Sequence, residues 1–359
     1  LKKDLRNLTI LNSKGQIVFY NLQDFIKSII ENDNCFICGA SPDSKDFNDE
    51  HIIPNWLLKK HSLHKQFVTL PNGTKFRYGQ YVVPCCVDCN SELGDVYETP
   101  ISKLLSKPYE QMIKEIQQDT EIVKLLFKWL SLIYLKTHLK DRNLLSSQDR
   151  RKDLGYISDD YYWEDFHHIH CIARSHHTKA DIDKRVYGTM FILPAIVHDS
   201  LGGFDYLDSQ TGKTIMLQTG DISIIANLND SCAGLTAFNE QMMKLNGSLS
   251  GFQLREIVAH MNFINLSLKE RPVYRSLIGY DGKYKIVAEV PDEVILLDEN
   301  ERFTSPGQFL RYYVKDMIGD IENKEQILNE IENGKRNYLF DEDGNFIDHS
   351  TKKTNANKV

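Results

Sequence analysis

The sequence lacks any apolar run long enough to cross a bilayer. Its longest helix-like apolar stretch, Ile122 to Leu135, is interrupted by Lys124 and Lys128, and the run Met190 to Val197 is short and contains Pro194. A spanning helix needs about 20 mostly apolar residues in succession. The opening LKKDLRNLTI carries charge where a signal peptide needs an apolar centre. No membrane partner and a soluble, cytoplasmic protein are therefore expected. Positive charge is also scarce: 43 Lys and Arg stand against 50 Asp and Glu, for a net charge of -7. That balance excludes a protein whose only work is to coat a phosphate backbone, because such binding is driven by cationic side chains and counterion release. A nucleic-acid enzyme with a local basic track is still allowed. No Walker loop, dinucleotide-binding glycine fingerprint, internal repeat or low-complexity tract is present.

Seven cysteines are present, at 35, 38, 85, 86, 89, 171 and 232, and five of them fall in one short region. A disulfide-stapled secreted domain would spread an even number more widely, so the pattern reads as reduced and metal-binding. Cys35-Phe-Ile-Cys38 and Cys86-Val-Asp-Cys89 are two Cys-x2-Cys pairs. Each wraps a tight knuckle round an ion, and together they supply four thiolates to a tetrahedral Zn2+. Cys85 does not have the two-residue spacing to Cys89, which makes Cys86 the ligand and Cys85 a buried neighbour.

A closed four-thiolate site leaves no coordination position for substrate or water, so it is structural. Chemistry would rest instead on Glu50, His51 and Asn90. A neutral imidazole serves as a base near pH 7. A carboxylate and an amide oxygen are hard ligands suited to Mg2+ or Mn2+. Glu50 directly precedes His51, and Asn90 directly follows a zinc ligand, so an inert zinc would hold Asn90 at a helix start opposite the Glu50–His51 strand.

Taken together, Cys35-Phe-Ile-Cys38, Glu50-His51-Ile-Ile-Pro54 and Pro84-Cys85-Cys86-Val-Asp-Cys89-Asn90 resemble the HNH, or ββα-metal, endonuclease family in its four-cysteine zinc form. The likeness covers about residues 34–100. It implies His51 as general base, Glu50 and Asn90 as ligands of a catalytic Mg2+ or Mn2+, and Cys35, Cys38, Cys86 and Cys89 as ligands of a structural zinc. It implies hydrolysis of phosphodiester bonds in DNA, leaving 5′-phosphate and 3′-hydroxyl ends, in the manner of a restriction or phage-defence effector. Tyr81 stands where the family carries its middle Asn, which leaves Asn72 as a candidate for orienting the base. Two other readings are kept: a catalytically silent zinc-stabilised protein that binds nucleic acid or a partner, and a ribonuclease built on the same module.

Around this module the expected class is α+β. A hairpin and helix fill residues 1–33, with Gly15 in the turn and Asn21 as helix cap. A helical layer follows over 101–145, divided near Pro108, its second helix carrying lysines opposite an apolar stripe. A polar linker over 143–160 leads to an α+β domain of uncertain role over 160–345, and a flexible tail covers 346–359. In that domain YGTMFILPAIV, KTIML, DISIIANL, KYKIVAEV and EVILL read as strands, and GFQLREIVAHMNFINLSL as a helix. The domain is the expected place for a protein partner or a homodimer contact. Lys59, Lys60, Arg77, Arg150, Arg151, Lys152, Arg174 and Lys179 are candidate nucleic-acid contacts. Glu98, two helical turns beyond Asn90, is a candidate further ligand, and His61 and His64 read as surface histidines. In the segment FHHIHCIARSHH, alternation suggests a strand with His168 and His170 on one face, and those two with Cys171 are the components of a conceivable second metal site.

Overall fold

The computed structural model describes residues 8–152, 154–197 and 202–350, with the Arg150 side chain outside that description. The architecture is α+β, in two compact units. One is drawn from within Leu1–Lys107, Lys114–Val186 and Tyr274–Ala288, the other from within Pro108–Ile113, Tyr187–Val273 and Glu289–Val359. Both are discontinuous, so stretches 160–186 and 274–288, read in the sequence as part of the C-terminal domain, fall in the first unit.

The first unit opens with the hairpin β1 (Ile10–Leu11) and β2 (Ile17–Phe19), turned by Gly15 at φ +76°. Asn21 caps α1 (Leu22–Phe25) by accepting from the Asp24 amide at 2.8 Å. The central motif is β3 (Phe47–His51) paired antiparallel with β6 (Val82–Cys86), in the register Phe47↔Cys86 to His51↔Val82. β6 runs directly into α3 (Val87–Leu93), and the chain stays helical through a wider π turn at Gly94–Glu98 into α4 (Thr99–Leu104). Between β3 and β6 lie α2 (Asn55–Lys60) and the hairpin β4 (Phe67–Thr69) and β5 (Lys75–Arg77).

Pro108 separates α4 from α5 (Tyr109–Gln118), as its missing amide requires. α6 (Glu121–Asp141) departs from the amphipathic helix expected. From Leu126 to Leu139 only Lys128 is not buried, so the helix is enclosed on every side, and Lys136, Thr137 and His138 lie inside with the leucines. A helix apolar all round belongs in a core, and the polar groups among those apolar residues need internal partners. α7 (His167–Ala173) and α8 (Ser175–Thr178) correct the strand expected for the histidine-rich segment: it is helical and mostly buried. A three-stranded sheet, β12 (Val273–Ile278), β13 (Tyr284–Glu289) and β7 (Asp181–Ile182), belongs to this unit, with β13 and β7 parallel.

The second unit holds a four-stranded antiparallel sheet in the order β8 (Met190–Pro194), β11 (Ile222–Asn227), β10 (Thr214–Thr219) and β9 (Phe204–Ser209). α9 (Ala233–Ala237) and α10 (Asn239–Lys244) lead to α11 (Gly251–Leu266), which starts at a capping box between Ser250 and Gln253. Leu254, Ile257, Val258 and Met261 of α11 share a core with Phe191, Met216, Ile225 and Phe238, closed by Leu310 and Val314 of α12 (Pro306–Val314) and Leu328 and Ile331 of α13 (Lys324–Glu332). EVILL, expected as a strand, contributes only an isolated bridge from Leu296 to Leu268. Of the expected tail, 351–359 lies outside the described residues.

No helix among the described residues is long and apolar enough to cross a membrane.

Candidate functional site

Cys35 and Cys38 sit on a loop whose turn is closed by two backbone bonds. Gly39 N donates to Cys35 O at 2.8 Å, and Cys35 N donates to Ala40 O at 2.8 Å. Gly39 has φ +79°, and a Cβ there would stand 1.9 Å from the Tyr20 hydroxyl, so any other residue at this turn is strained and must displace that hydroxyl. Cys86 ends β6 and Cys89 lies in the first turn of α3. The four ligand atoms of Cys35, Cys38, Cys86 and Cys89 all lie within 4.8 Å of one another. Cys38 Sγ is 3.6 Å from Cys86 Sγ. Ligands about 2.3 Å from a tetrahedral zinc stand about 3.8 Å apart, so the cluster has the size and the donors for a zinc-type ion.

The chemistry of the thiols agrees. Hydrogen bonds from Cys38, Cys85 and Cys89 pull the Cys35 thiol far down, and the bond to Cys35 pushes Cys38 up to about 11. A bound cation would let all four thiols of the cluster give up their protons. Cys85, buried and 3.9 Å from Cys35 Sγ, is outside this group.

A second group was not read from the sequence. Ligand atoms of Cys89, Glu92 and His177 also lie within 4.8 Å of one another, and His177 Nδ1 is 3.0 Å from Glu92 Oε2. Cys89 and Glu92 are one turn apart on α3, a spacing that was visible; that His177 meets them from α8 was not. His168, His170 and Cys171, the residues weighed for a second metal site, are dispersed instead. His168 stacks on Tyr274, His170 Nε2 bonds to Phe36 O, and Cys171 meets the Ser276 hydroxyl.

Glu50 is buried, and its Oε1 lies 2.5 Å from the ammonium of Lys136. The same ammonium donates to the main-chain oxygen of His51 at 2.7 Å. Asn90 donates through Nδ2 to Asn48 Oδ1 at 2.8 Å. Asn48 and Glu50 are two apart on β3 and share a face, so Asn90 reaches the face that carries Glu50. Glu50 Oε2 and Asn90 Oδ1 have no hydrogen bond among the described residues. His51, the last residue of β3, alternates to the face opposite Glu50 and is part-exposed. Burial holds its imidazole below the usual value, Glu50 pulling it up and Lys136 pushing it down. Its ring is 6.4 Å from that of His64, which is fixed by Asn55. Glu98 faces Glu50 and Lys136 electrostatically, and burial pushes its carboxyl up to about 7. Burial brings His61 down to about 4. Asn72 is occupied in its own turn and by Leu145 O, and Tyr81 is buried against Phe76.

The candidate nucleic-acid contacts divide. Lys59, Lys60 and Arg77 are exposed close to the module, with Lys60 bonded to Leu105 O and Arg77 over the Phe67 ring. Arg151 is exposed and paired with Asp149; Lys152 and Lys179 are exposed. Arg174 is a correction. Only 1% exposed, it donates to Ile17 O and Val18 O and lies over the Tyr20 ring, so it touches no solvent-borne strand.

No family model, curated protein or solved structure matches the chain.

Proposed function

We propose that the first unit is a metal-dependent HNH-type endonuclease acting on DNA, with His51 as general base. The observation that carries this reading is the course of the chain from β3 to β6 to α3 across a four-cysteine cluster, with a part-exposed His51 ending the first strand. Glu50 and Asn90 would hold Mg2+ or Mn2+ through their spare oxygens, and four cysteines would hold a structural zinc. A bound divalent ion supplies charge neutralisation at the phosphate. The imidazole of His51 accepts the proton of the attacking water, and the lysines of α2 and Arg77 offer backbone contacts beside it.

A second reading, a catalytically silent zinc module, is favoured by one observation: Glu50 is already ion-paired to Lys136 and faces away from His51. The test is incubation of wild-type and His51→Ala protein with supercoiled plasmid, with labelled RNA in parallel, with and without Mg2+ or Mn2+. The nuclease reading expects metal-dependent nicking by wild type and a loss of at least about 100-fold in the variant, at unchanged zinc content. Intact plasmid with both proteins would favour the silent module. Cleavage of RNA alone would make it a ribonuclease.

A further inference from the structure

We propose that Lys136 of α6 is the positioning residue of this centre, setting the carboxylate of Glu50 and the backbone of His51 with one ammonium group. The inference rests on the nuclease reading above. Lys136 is 1% exposed and comes from a helix most of whose buried residues are apolar. Burying an ammonium costs several kcal/mol, and a buried ion pair adds little stability over an apolar pair of like volume. Stability alone therefore gives no account of a lysine at this position. Its contacts do. One bond, at 2.5 Å, goes to a side-chain oxygen of residue 50; the other, at 2.7 Å, goes to the main-chain oxygen of residue 51. These are the proposed ligand and the residue that carries the proposed base, consecutive at the end of β3 with side chains on opposite faces. Because Lys136 takes Oε1, the rotamer of Glu50 is fixed while Oε2 is left without a hydrogen bond.

The experiment compares wild type with Lys136→Met and Lys136→Gln for plasmid nicking against Mn2+ concentration and for Mn2+ binding by electron paramagnetic resonance. Circular dichroism and zinc content report folding. Glutamine can still donate to both oxygens, whereas methionine fills the space and donates nothing. The expected result for Lys136→Met is a rise of at least about tenfold in the Mn2+ needed for half-maximal rate, with KM for DNA unchanged, and a smaller rise for Lys136→Gln. If Lys136→Met does not fold, Lys136→Gln carries the comparison against wild type. A folded variant with wild-type rate and Mn2+ dependence overturns the proposal. If wild type cleaves nothing, the nuclease reading falls, and Mn2+ binding then decides: weaker binding by the variants keeps Lys136 as the positioning residue, and equal or absent binding in all proteins overturns it.

Discussion

Gly39 shows how much of the metal loop is decided by one residue. Its positive φ would cost an L side chain about 1–2 kcal/mol by itself, and the Tyr20 hydroxyl occupies the place a methyl would take. Gly39→Ala is expected to lower stability by more than 2 kcal/mol, on the order of the backbone strain plus the overlap. In a Tyr20→Phe background the same change should cost less, since the oxygen is gone. Urea unfolding of the four proteins measures the coupling; strictly additive effects would mean that the turn does not depend on Tyr20. The sequence shows a glycine directly after the second cysteine but not the tyrosine pressing on it, because 19 positions separate them. Arg174 failed in the opposite sense. Basic residues look alike in a sequence, and only the carbonyls of Ile17 and Val18 reveal one turned inward.

At the scale of elements, short-range signals carried well and enclosure did not. The Cys-x2-Cys spacing, the proline between α4 and α5 and the Asn21 cap all act within a few residues, so the sequence alone displays them. The sequence of α6 implies lysines facing outward because three- and four-residue spacing defines a stripe but not how many sides are covered. Its burial puts Lys136 against β3. The histidine-rich segment offered an alternation that a helix overrode, its rings packing on Phe25 and Tyr274 instead of converging. Adjacent cysteines at 85 and 86 must point to opposite faces of β6, and Cys86 joins the cluster. Cys86→Ser is therefore expected to reduce zinc from about one per chain to near none, whereas Cys85→Ser keeps it. Colorimetric zinc release from the purified variants checks this, and equal loss from both would show that Cys85 is a ligand.

The whole molecule consists of two units that are each assembled from separated stretches, an arrangement that composition along the chain cannot reveal. The second carries its own pH response, legible only once α11 is seen to be enclosed. Burial pushes the Glu256 carboxyl up to about 7, although the amides of Tyr338 and Leu339 donate to it and draw it down. One turn along, burial lowers His260 to about 4. The signs oppose. A carboxyl raised above its unfolded value binds its proton more tightly when folded, so its contribution is full below about pH 4 and is lost as pH rises through 7. An imidazole lowered below its unfolded value stabilises the fold above about pH 6.5 and loses that contribution as pH falls toward 4. Between pH 8 and pH 5, Glu256 should add roughly 2–3 kcal/mol on acidification, and His260 should subtract. Relative to wild type, Glu256→Gln is thus expected to lose stability over that interval and His260→Phe to gain it. Hydrogen exchange of the β10 and β11 amides at pH 5, 6, 7 and 8 reads the second unit alone. Parallel pH curves for wild type and both variants would mean that neither group changes its proton affinity on folding, and that the enclosure of α11 is looser than its packing against the sheet implies.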